Sequence, residues 1–273
     1  LLFTGSQPSR SAKVWNRFNL TIKMNNFNEI TNFLLSLSNK ASEIMLRYYS
    51  PAGNLESKTK KDLSPVTKAD LEINEMVIRE VMQNYPDYGV FGEEKSVGMG
   101  SNNKLFVVDP IDGTYMFTIG CPVFVFSIAV VVDGESVSGL IANFLAKRTV
   151  VAEKGKGAYI VESGGSATVS KKVSLNETFI NVPWKDAHTS ALLIESGAAT
   201  VQMYSIIEAS CLVATGGFDG AIFRFNSAVD IAAVKVVVEE AGGKVTDING
   251  NEQRYDGPIH GAIVSNGYLH SEL

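Results

Sequence analysis

The sequence predicts a mixed α/β (α+β) protein built in layers, with an antiparallel sheet in the first half and a mixed sheet in the second. Two long helical patterns come first and are followed by short strands joined by tight turns, after which strands and helices alternate. The chain has 273 residues and is 45% hydrophobic, which is enough for a substantial core. We expect two packed halves, residues 24–155 and 156–273.

The first 23 residues differ from the remainder. They contain four basic residues and no acidic one, and the globular pattern begins only after Met24. This composition is typical of a disordered leader or of an added extension, and an organellar transit peptide is also basic and poor in acids. We leave residues 1–23 out of the predicted fold.

Two amphipathic helices open the predicted fold. Apolar residues recur every three or four positions over residues 27–48, which predicts a long helix that ends at Pro51. A polar loop follows over residues 54–65. The second helix is predicted to begin near Thr67, with Pro86 beyond its end.

The strands are predicted from short apolar runs bounded by turn residues. In the first half they cover residues 105–108, 123–132, 137–141, 149–152 and 158–161. In the second half they cover residues 179–182, 191–195, 221–225, 244–247 and 261–265. Two further helices are predicted over 205–215 and 228–241, because a pair of glycines stops each pattern.

Composition excludes several classes of function. A net charge of −5 gives no general affinity for nucleic acid or an anionic membrane. The two cysteines, Cys121 and Cys211, form no ligand pair or disulfide framework, so we expect free thiols and a cytoplasmic location. The longest apolar run, residues 123–132, is far below the roughly 20 residues that span a bilayer. The sequence also lacks a phosphate-binding loop ending in Gly-Lys-Ser/Thr and a Gly-x-Ser-x-Gly elbow.

The most informative motif is Asp109-Pro-Ile-Asp-Gly-Thr114, which follows the predicted buried strand 105–108 directly. Because Pro110 cannot extend a ladder, the chain is expected to bend there. The bend would turn Asp109, the Ile111 carbonyl and Asp112 toward one point. An all-oxygen site of this kind suits hard cations such as Mg²⁺. The backbone N–H groups after the glycine are expected to hold a phosphate.

Further acidic residues stand at the starts of helices and at the end of a strand. Asp70 and Asp230 each follow a hydroxyl residue at the spacing of a capping box, so each has a purely structural interpretation as a helix cap. Glu93 and Glu94 follow a short apolar strand and would ordinarily form a solvated surface pair.

Taken together, these motifs resemble the inositol monophosphatase family of Mg²⁺-dependent, lithium-sensitive phosphatases. The matches appear in order over residues ~30–266. They are Asp62-Leu-Ser-Pro-Val-Thr-Lys-Ala-Asp70, Gly92-Glu93-Glu94, Asp109-Pro-Ile-Asp-Gly-Thr114, Val213-Ala-Thr-Gly-Gly-Phe-Asp219 and Asp230-Ile-Ala-Ala233.

The resemblance implies a layered αβαβα fold and a site made of the same acids. Two or three Mg²⁺ ions would be held by Glu93, Asp109, Asp112, Asp230 and the Ile111 carbonyl. Thr114 would position the attacking water, with Asp70 hydrogen-bonded to Thr114 and Glu93 helping as a base. The amides of Gly113 and Thr114 would hold the phosphate.

The chain departs from the family where the substrate pocket is expected. Inositol-selective members carry a glutamate at the position of Phe223, and a glycine followed by a small hydroxyl at Tyr204 and Ser205. Relatives commonly have tryptophan at Val229 and asparagine at Met116. Because Phe223 cannot accept a hydrogen bond from a ring hydroxyl, inositol 1-phosphate is not expected to be the preferred substrate.

The expected function is Mg²⁺-dependent hydrolysis of a small phosphate monoester, of the inositol phosphate or sugar phosphate class, by metal-activated water. Fructose-1,6-bisphosphatase, histidinol-phosphatase and 3′(2′),5′-bisphosphate nucleotidase activities stay open, as does a non-catalytic metal-binding role. The resemblance also implies a homodimer. An organellar location follows instead of a cytoplasmic one if residues 1–23 are a transit peptide.

Overall fold

The computed structural model describes residues 27–60, 64–99, 103–224 and 227–273. Helices and sheets alternate in five layers, which confirms the predicted αβαβα architecture. The expectation for residues 1–23 lies outside the described residues. In the described ranges no helix is both long and apolar enough to cross a membrane.

The first layer consists of helices α1 (Glu29–Tyr48) and α2 (Lys68–Asn84). Asn28 caps α1 by accepting a hydrogen bond from the Thr31 amide at 2.8 Å. A short hairpin between the helices contains β1 (Ser57–Thr59) and β2 (Pro65–Thr67). It ends directly at the N-terminus of α2.

The second layer is a seven-stranded sheet whose strands run in sequence order. They are β3 (Gly89–Gly92), β4 (Lys104–Asp112), β5 (Val125–Val132), β6 (Glu135–Asn143), β7 (Arg148–Glu153), β8 (Gly157–Ile160) and β9 (Gly165–Ser166). Only β3 and β4 pair in parallel among these strands, and the other neighbours are antiparallel. The predicted division at residues 155 and 156 falls between two strands of this sheet.

The fourth layer is a mixed five-stranded sheet in the order β11-β10-β12-β14-β13. Its strands are β10 (Phe179–Asn181), β11 (Ala199–Val201), β12 (Gly220–Phe223), β13 (Lys244–Thr246) and β14 (Ala262–Ser265). The third layer, between the two sheets, consists of α5 (Ile206–Ala214) and α6 (Ala228–Glu240). The fifth layer is α4 (Ala187–Glu195), which packs on the second sheet. The short helix α3 (Thr114–Thr118) directly follows β4.

Burial on both faces of the first sheet explains the continuous apolar runs of its strands. Phe106 and Val108 of β4 pack with α1 and α2. Leu105 and Val107, which alternate with them, face the other way and pack in one core with α5, α6 and the second sheet. A smaller core lies between the second sheet and α4, which contributes Leu193.

One predicted strand is wrong. Residues 191–195 belong to α4, whose N-terminus is capped by Asp186 through a 3.0 Å hydrogen bond from the Thr189 amide. A short apolar run is compatible with a strand or a helix, and here the Asp186 cap stabilises the helix. The strand of this region is β11, a few residues later. The predictions also omit the β1–β2 hairpin and the short helix α3.

Close packing of α6 on β6 predicts the effect of a single methyl group. A Cβ on Gly139 would lie 2.6 Å from the Val236 side chain and 3.1 Å from the Ala233 carbonyl. We expect Gly139→Ala to lower the free energy of unfolding by about 1–3 kcal/mol in urea denaturation. Gly257→Ala is the matched control, since nothing lies within 4 Å of its Cβ. Equal stability of the two variants would contradict this packing.

Stability at mildly acidic pH is predicted to depend on His270. Its Nε2 lies 2.9 Å from Thr246 Oγ1, which donates to the Asp247 carbonyl, and its Nδ1 lies 2.9 Å from Ser265 Oγ. Burial lowers the pKa of His270 from 6.5 to about 4. Between these values the unfolded chain binds more protons, so stability is lost as pH falls from about 6.5 to 4.

Urea midpoints at pH 7 and pH 5 check this prediction in wild type and His270→Gln. The variant should lose less stability than wild type over that interval. Equal losses in both proteins would show that His270 does not titrate on unfolding.

Candidate active site

The acidic residues singled out in the sequence lie where β3, β4 and the N-termini of four helices meet. Asp109 and Asp112 are buried at the end of β4, and the β4–β5 register shifts between them. The shift is the bend expected at Pro110. The shift interrupts the hydrogen-bonded pairing of β4 with β5, and both carboxylates lie in the segment that leads from β4 to α3.

Asp70 links this turn to the N-terminus of α2. One carboxylate oxygen accepts hydrogen bonds from the Thr67 amide at 2.8 Å and the Thr67 hydroxyl at 2.5 Å. The other oxygen lies 3.3 Å from Thr114 Oγ1, which also donates to the Ile111 carbonyl at 2.8 Å. Asp70 is therefore a capping residue and, through the same side chain, a partner of Thr114. Burial raises its pKa to about 6.

Asp112 is fixed by the N-terminus of α5. Its Oδ2 accepts hydrogen bonds from the Ser205 hydroxyl at 2.6 Å and the Ile207 amide at 2.7 Å. Ser205 is buried and also caps α5 by accepting from the Glu208 amide. The Ser205 hydroxyl is thus engaged with Asp112, and its neighbour Tyr204 faces the open cavity.

Buried like charges dominate the electrostatics of the site. Burial raises the pKa of Asp112 to about 6 against the hydrogen bonds that favour its anion. Burial and the charge of Asp112 raise the pKa of Asp230 to about 7. The pKa of Asp109 is raised well above its usual range by burial and by the charges of Glu93, Asp112 and Asp230. A bound cation would stabilise the ionised form of such a group of carboxylates.

Asp230 also completes a capping box on α6. Its Oδ2 accepts from the Ser227 amide at 2.9 Å, and Ser227 Oγ accepts from the Val229 amide at 3.1 Å. The structural interpretation of this spacing is confirmed. The box leaves the Asp230 side chain at the rim of a cavity that Glu93 also lines.

The environment of Glu93 contains two residues that sequence reasoning did not single out. Lys60 places its ammonium 2.6 Å from Glu93 and 2.5 Å from Glu94. Asn74, one turn beyond Asp70 on α2, donates to the Lys95 carbonyl at 3.0 Å. Asn74 is spaced by four residues from Asp70, and this helical spacing is the signal that would have identified it.

Gly113 is required by the backbone between β4 and α3. Its φ is 87°, and a Cβ would lie 2.7 Å from the Val123 carbonyl and 3.1 Å from the Ser205 side chain. Only glycine fits this left-handed, closely packed turn. The absence of a side chain leaves the backbone open to an approaching ligand.

Two cavities meet at Arg224. One is lined by Glu93, Asp230 and His260. The other, of about 800 Å³, is lined by Tyr204, Phe223 and Trp184. The second cavity combines the predicted pocket residues Tyr204 and Phe223 with Trp184, which sequence reasoning missed because it lies in a loop without a motif.

The donor set fits a hard divalent cation. Carboxylates and a backbone carbonyl are the ligands that Mg²⁺ prefers, and burial with neighbouring negative charges raises the pKa of Asp109 and Asp230. Within residues 27–60, 64–99, 103–224 and 227–273, no three His, Cys, Asp or Glu side chains converge closely enough to hold an ion.

Comparison with known proteins identifies the arrangement. Residues 26–273 match the inositol monophosphatase family. The chain belongs to the inositol monophosphatase family. Asp62 and Leu63, the first two residues of the first matching motif, lie outside the described residues.

Family members named for different activities resemble the chain to the same degree. A histidinol-phosphatase of Chlorobaculum parvum is 31% identical, covering 88% of this chain and 93% of that protein. A fructose-1,6-bisphosphatase/inositol-1-monophosphatase of Thermotoga maritima shows the same identity and coverage. The solved structure of an IMPase from Thermotoga maritima superimposes with a TM-score of 0.81 at 27% identity, covering 90% of this chain and 95% of that one.

This inositol monophosphatase family member is accordingly a phosphoric monoester hydrolase that acts on small phosphate esters. The family is generally metal-dependent, in agreement with the carboxylate-rich site. Because relatives named for different activities are equally similar to the chain, overall similarity does not identify the substrate, and the pocket residues must be considered instead.

Proposed function

We propose that the protein is a Mg²⁺-dependent phosphatase that uses water to hydrolyse a small phosphate monoester. Two or three ions would be held by Glu93, Asp109, Asp112, Asp230 and the Ile111 carbonyl. The observation that carries the proposal is the group of buried carboxylates around the end of β4, whose charges raise one another's pKa. A divalent cation would neutralise them.

Bound Mg²⁺ would neutralise the phosphate dianion, lower the pKa of coordinated water and stabilise the leaving alkoxide. The remaining chemistry falls to side chains. The Thr114 hydroxyl proton is directed to the Ile111 carbonyl and Asp70, so its lone pairs are available to a water. Thr114 would orient that water and Glu93 would take its proton. The new P–O bond forms as the ester P–O bond breaks, and the alkoxide gains a proton to leave as an alcohol.

The phosphate would lie against the amides of Gly113 and Thr114, where the glycine leaves room. The leaving group would then extend into the cavity lined by Tyr204 and Phe223. Ser205 would hold Asp112 in place through its hydrogen bond. This arrangement separates the reacting end of the substrate from the end that determines specificity.

Lys60 would compete with a cation for Glu93. Its ammonium lies on the carboxylate that the proposal assigns both to a metal and to a proton. We therefore expect Lys60 to leave Glu93 when the site is loaded. Lys60 follows β1, whose three residues are exposed, so this movement needs little rearrangement of the core.

A non-catalytic metal-binding role is the second candidate, favoured by the departures from the family pattern at Tyr204, Phe223 and Met116. Lithium sensitivity, a homodimer and a cytoplasmic location accompany the proposed function as expectations from the family resemblance. Size-exclusion chromatography with light scattering tests the dimer.

Metal binding is predicted to stabilise the fold. At a Mg²⁺ concentration about 100 times the dissociation constant, binding adds about 2.7 kcal/mol to the free energy of unfolding. The melting temperature after EDTA treatment should therefore rise by several degrees with Mg²⁺ and much less with K⁺ at equal ionic strength. A melting temperature that responds equally to both salts would contradict a specific site.

Turnover is predicted to depend on Asp112. Asp112→Asn keeps the shape of the side chain but removes a buried negative charge, and kcat should fall about 10³-fold or more because transition-state stabilisation is lost. Asp133→Asn, at the exposed β5–β6 turn, is the matched control and should retain wild-type turnover. Phosphate release by Asp112→Asn at the control's rate would favour the non-catalytic role.

A further inference from the structure

We propose that the substrate's leaving group carries a flat, nitrogen-containing aromatic ring, which stacks on Trp184 and Tyr204 beside the carboxylate site. This inference rests on the proposed phosphatase function and names its substrate class. Its basis is a row of three aromatic side chains, Tyr115, Tyr204 and Trp184, with neighbouring ring centroids 5.8 and 5.7 Å apart.

The row begins at the reacting end of the site. Tyr115 follows Thr114 in the chain, and Tyr204 precedes Ser205, the residue that holds Asp112. Trp184 lies farther out, beyond Tyr204. A phosphate placed against Gly113 and Thr114 would therefore direct its leaving group along the row.

All three rings are unusually open. Trp184 is 60% exposed, Tyr115 52% and Tyr204 47%. A contiguous patch of exposed aromatic side chains marks a binding surface more often than a plain surface. Its continuity with the cavity of about 800 Å³ makes the substrate the occupant that fits here.

The apolar part of the cavity wall suits a flat ring. Tyr204 and Trp184 are joined there by Val182, Met203, Ile206 and Phe223. A polyol against this part of the wall would lose hydrogen bonds to water, because apolar side chains cannot replace them. Stacking of a flat ring on aromatic side chains contributes roughly 1–3 kcal/mol.

An anionic side chain in the same cavity favours nitrogen in that ring. The Lys185 ammonium lies 4.0 Å from the centroid of the Trp184 ring, where it forms a cation–π contact. Asp186 lies on the cavity wall, held by Thr189 and Arg224. Hydrogen bonds from Thr189 and Arg224 lower the pKa of Asp186 to about 2, so it remains an anion able to accept from a ring N–H.

Substrate preference tests the inference. We would measure kcat/KM with Mg²⁺ for histidinol phosphate, 2′-AMP, inositol 1-phosphate and glycerol 2-phosphate. The kcat/KM of histidinol phosphate or of 2′-AMP, which carry aromatic rings, should exceed that of both non-aromatic esters by about tenfold or more. The first two esters distinguish an imidazole from a purine. Preference for inositol 1-phosphate, or equal rates for all four, would overturn the inference.

Variants link the preference to the aromatic row. In Trp184→Leu, the ratio of kcat/KM for the preferred ring ester to that for glycerol 2-phosphate should fall about tenfold, mainly through KM. Tyr268→Leu is the matched control, because Tyr268 is equally open and lies outside the cavity. An unchanged ratio in Trp184→Leu would contradict the stacking.

Fluorescence separates this inference from the proposed function. The chain has two tryptophans, so a Trp15→Phe background reports Trp184 alone. Saturable quenching by 2′-AMP or histidinol phosphate, absent with glycerol 2-phosphate, supports the ring site even if no ester is hydrolysed, in which case only the phosphatase proposal fails. Absence of quenching by both ring-bearing esters would overturn the inference even if glycerol 2-phosphate is hydrolysed.

Discussion

The burial of like-charged carboxylates at the end of β4 is the constraint on which the rest of the site depends. Desolvation of a carboxylate is costly unless donors or a cation compensate for it. Here the compensation is both local and distant in the chain. The Ile111 amide donates to Asp109 at 3.0 Å, and Ser205 and the Ile207 amide donate to Asp112. The layered fold brings the start of α5 to Asp112.

Helix N-termini therefore have two roles in this protein. Thr67 with Asp70 and Ser227 with Asp230 form capping boxes that stabilise α2 and α6. The same two acids face the site, where Asp70 contacts Thr114 and Asp230 lines the cavity with Glu93. A helix start can thus serve both stability and chemistry, which is why the spacing of these residues alone left two interpretations open.

Periodicity and motifs were sufficient for the layered fold and for the acids of the site. The apolar runs of β4 and β5 and the amphipathic pattern of α1 are strong local signals. The run at residues 191–195 was misassigned because four or five apolar residues fit a strand or a helix equally well. Lys60 and Trp184 were missed for a different reason. Their neighbours are brought near by tertiary packing, and no local pattern encodes those contacts.

We propose that the carboxylates at the end of β4 form a divalent-cation site and that the aromatic cavity beside it selects the ester. Anomalous scattering from crystals grown with Mn²⁺, a cation of similar ligand preference, locates such ions directly. We expect anomalous peaks at coordination distance from Asp109, Asp112 and Asp230, with Lys60 displaced from Glu93. Peaks confined to the surface, with Lys60 still paired to Glu93, would contradict it.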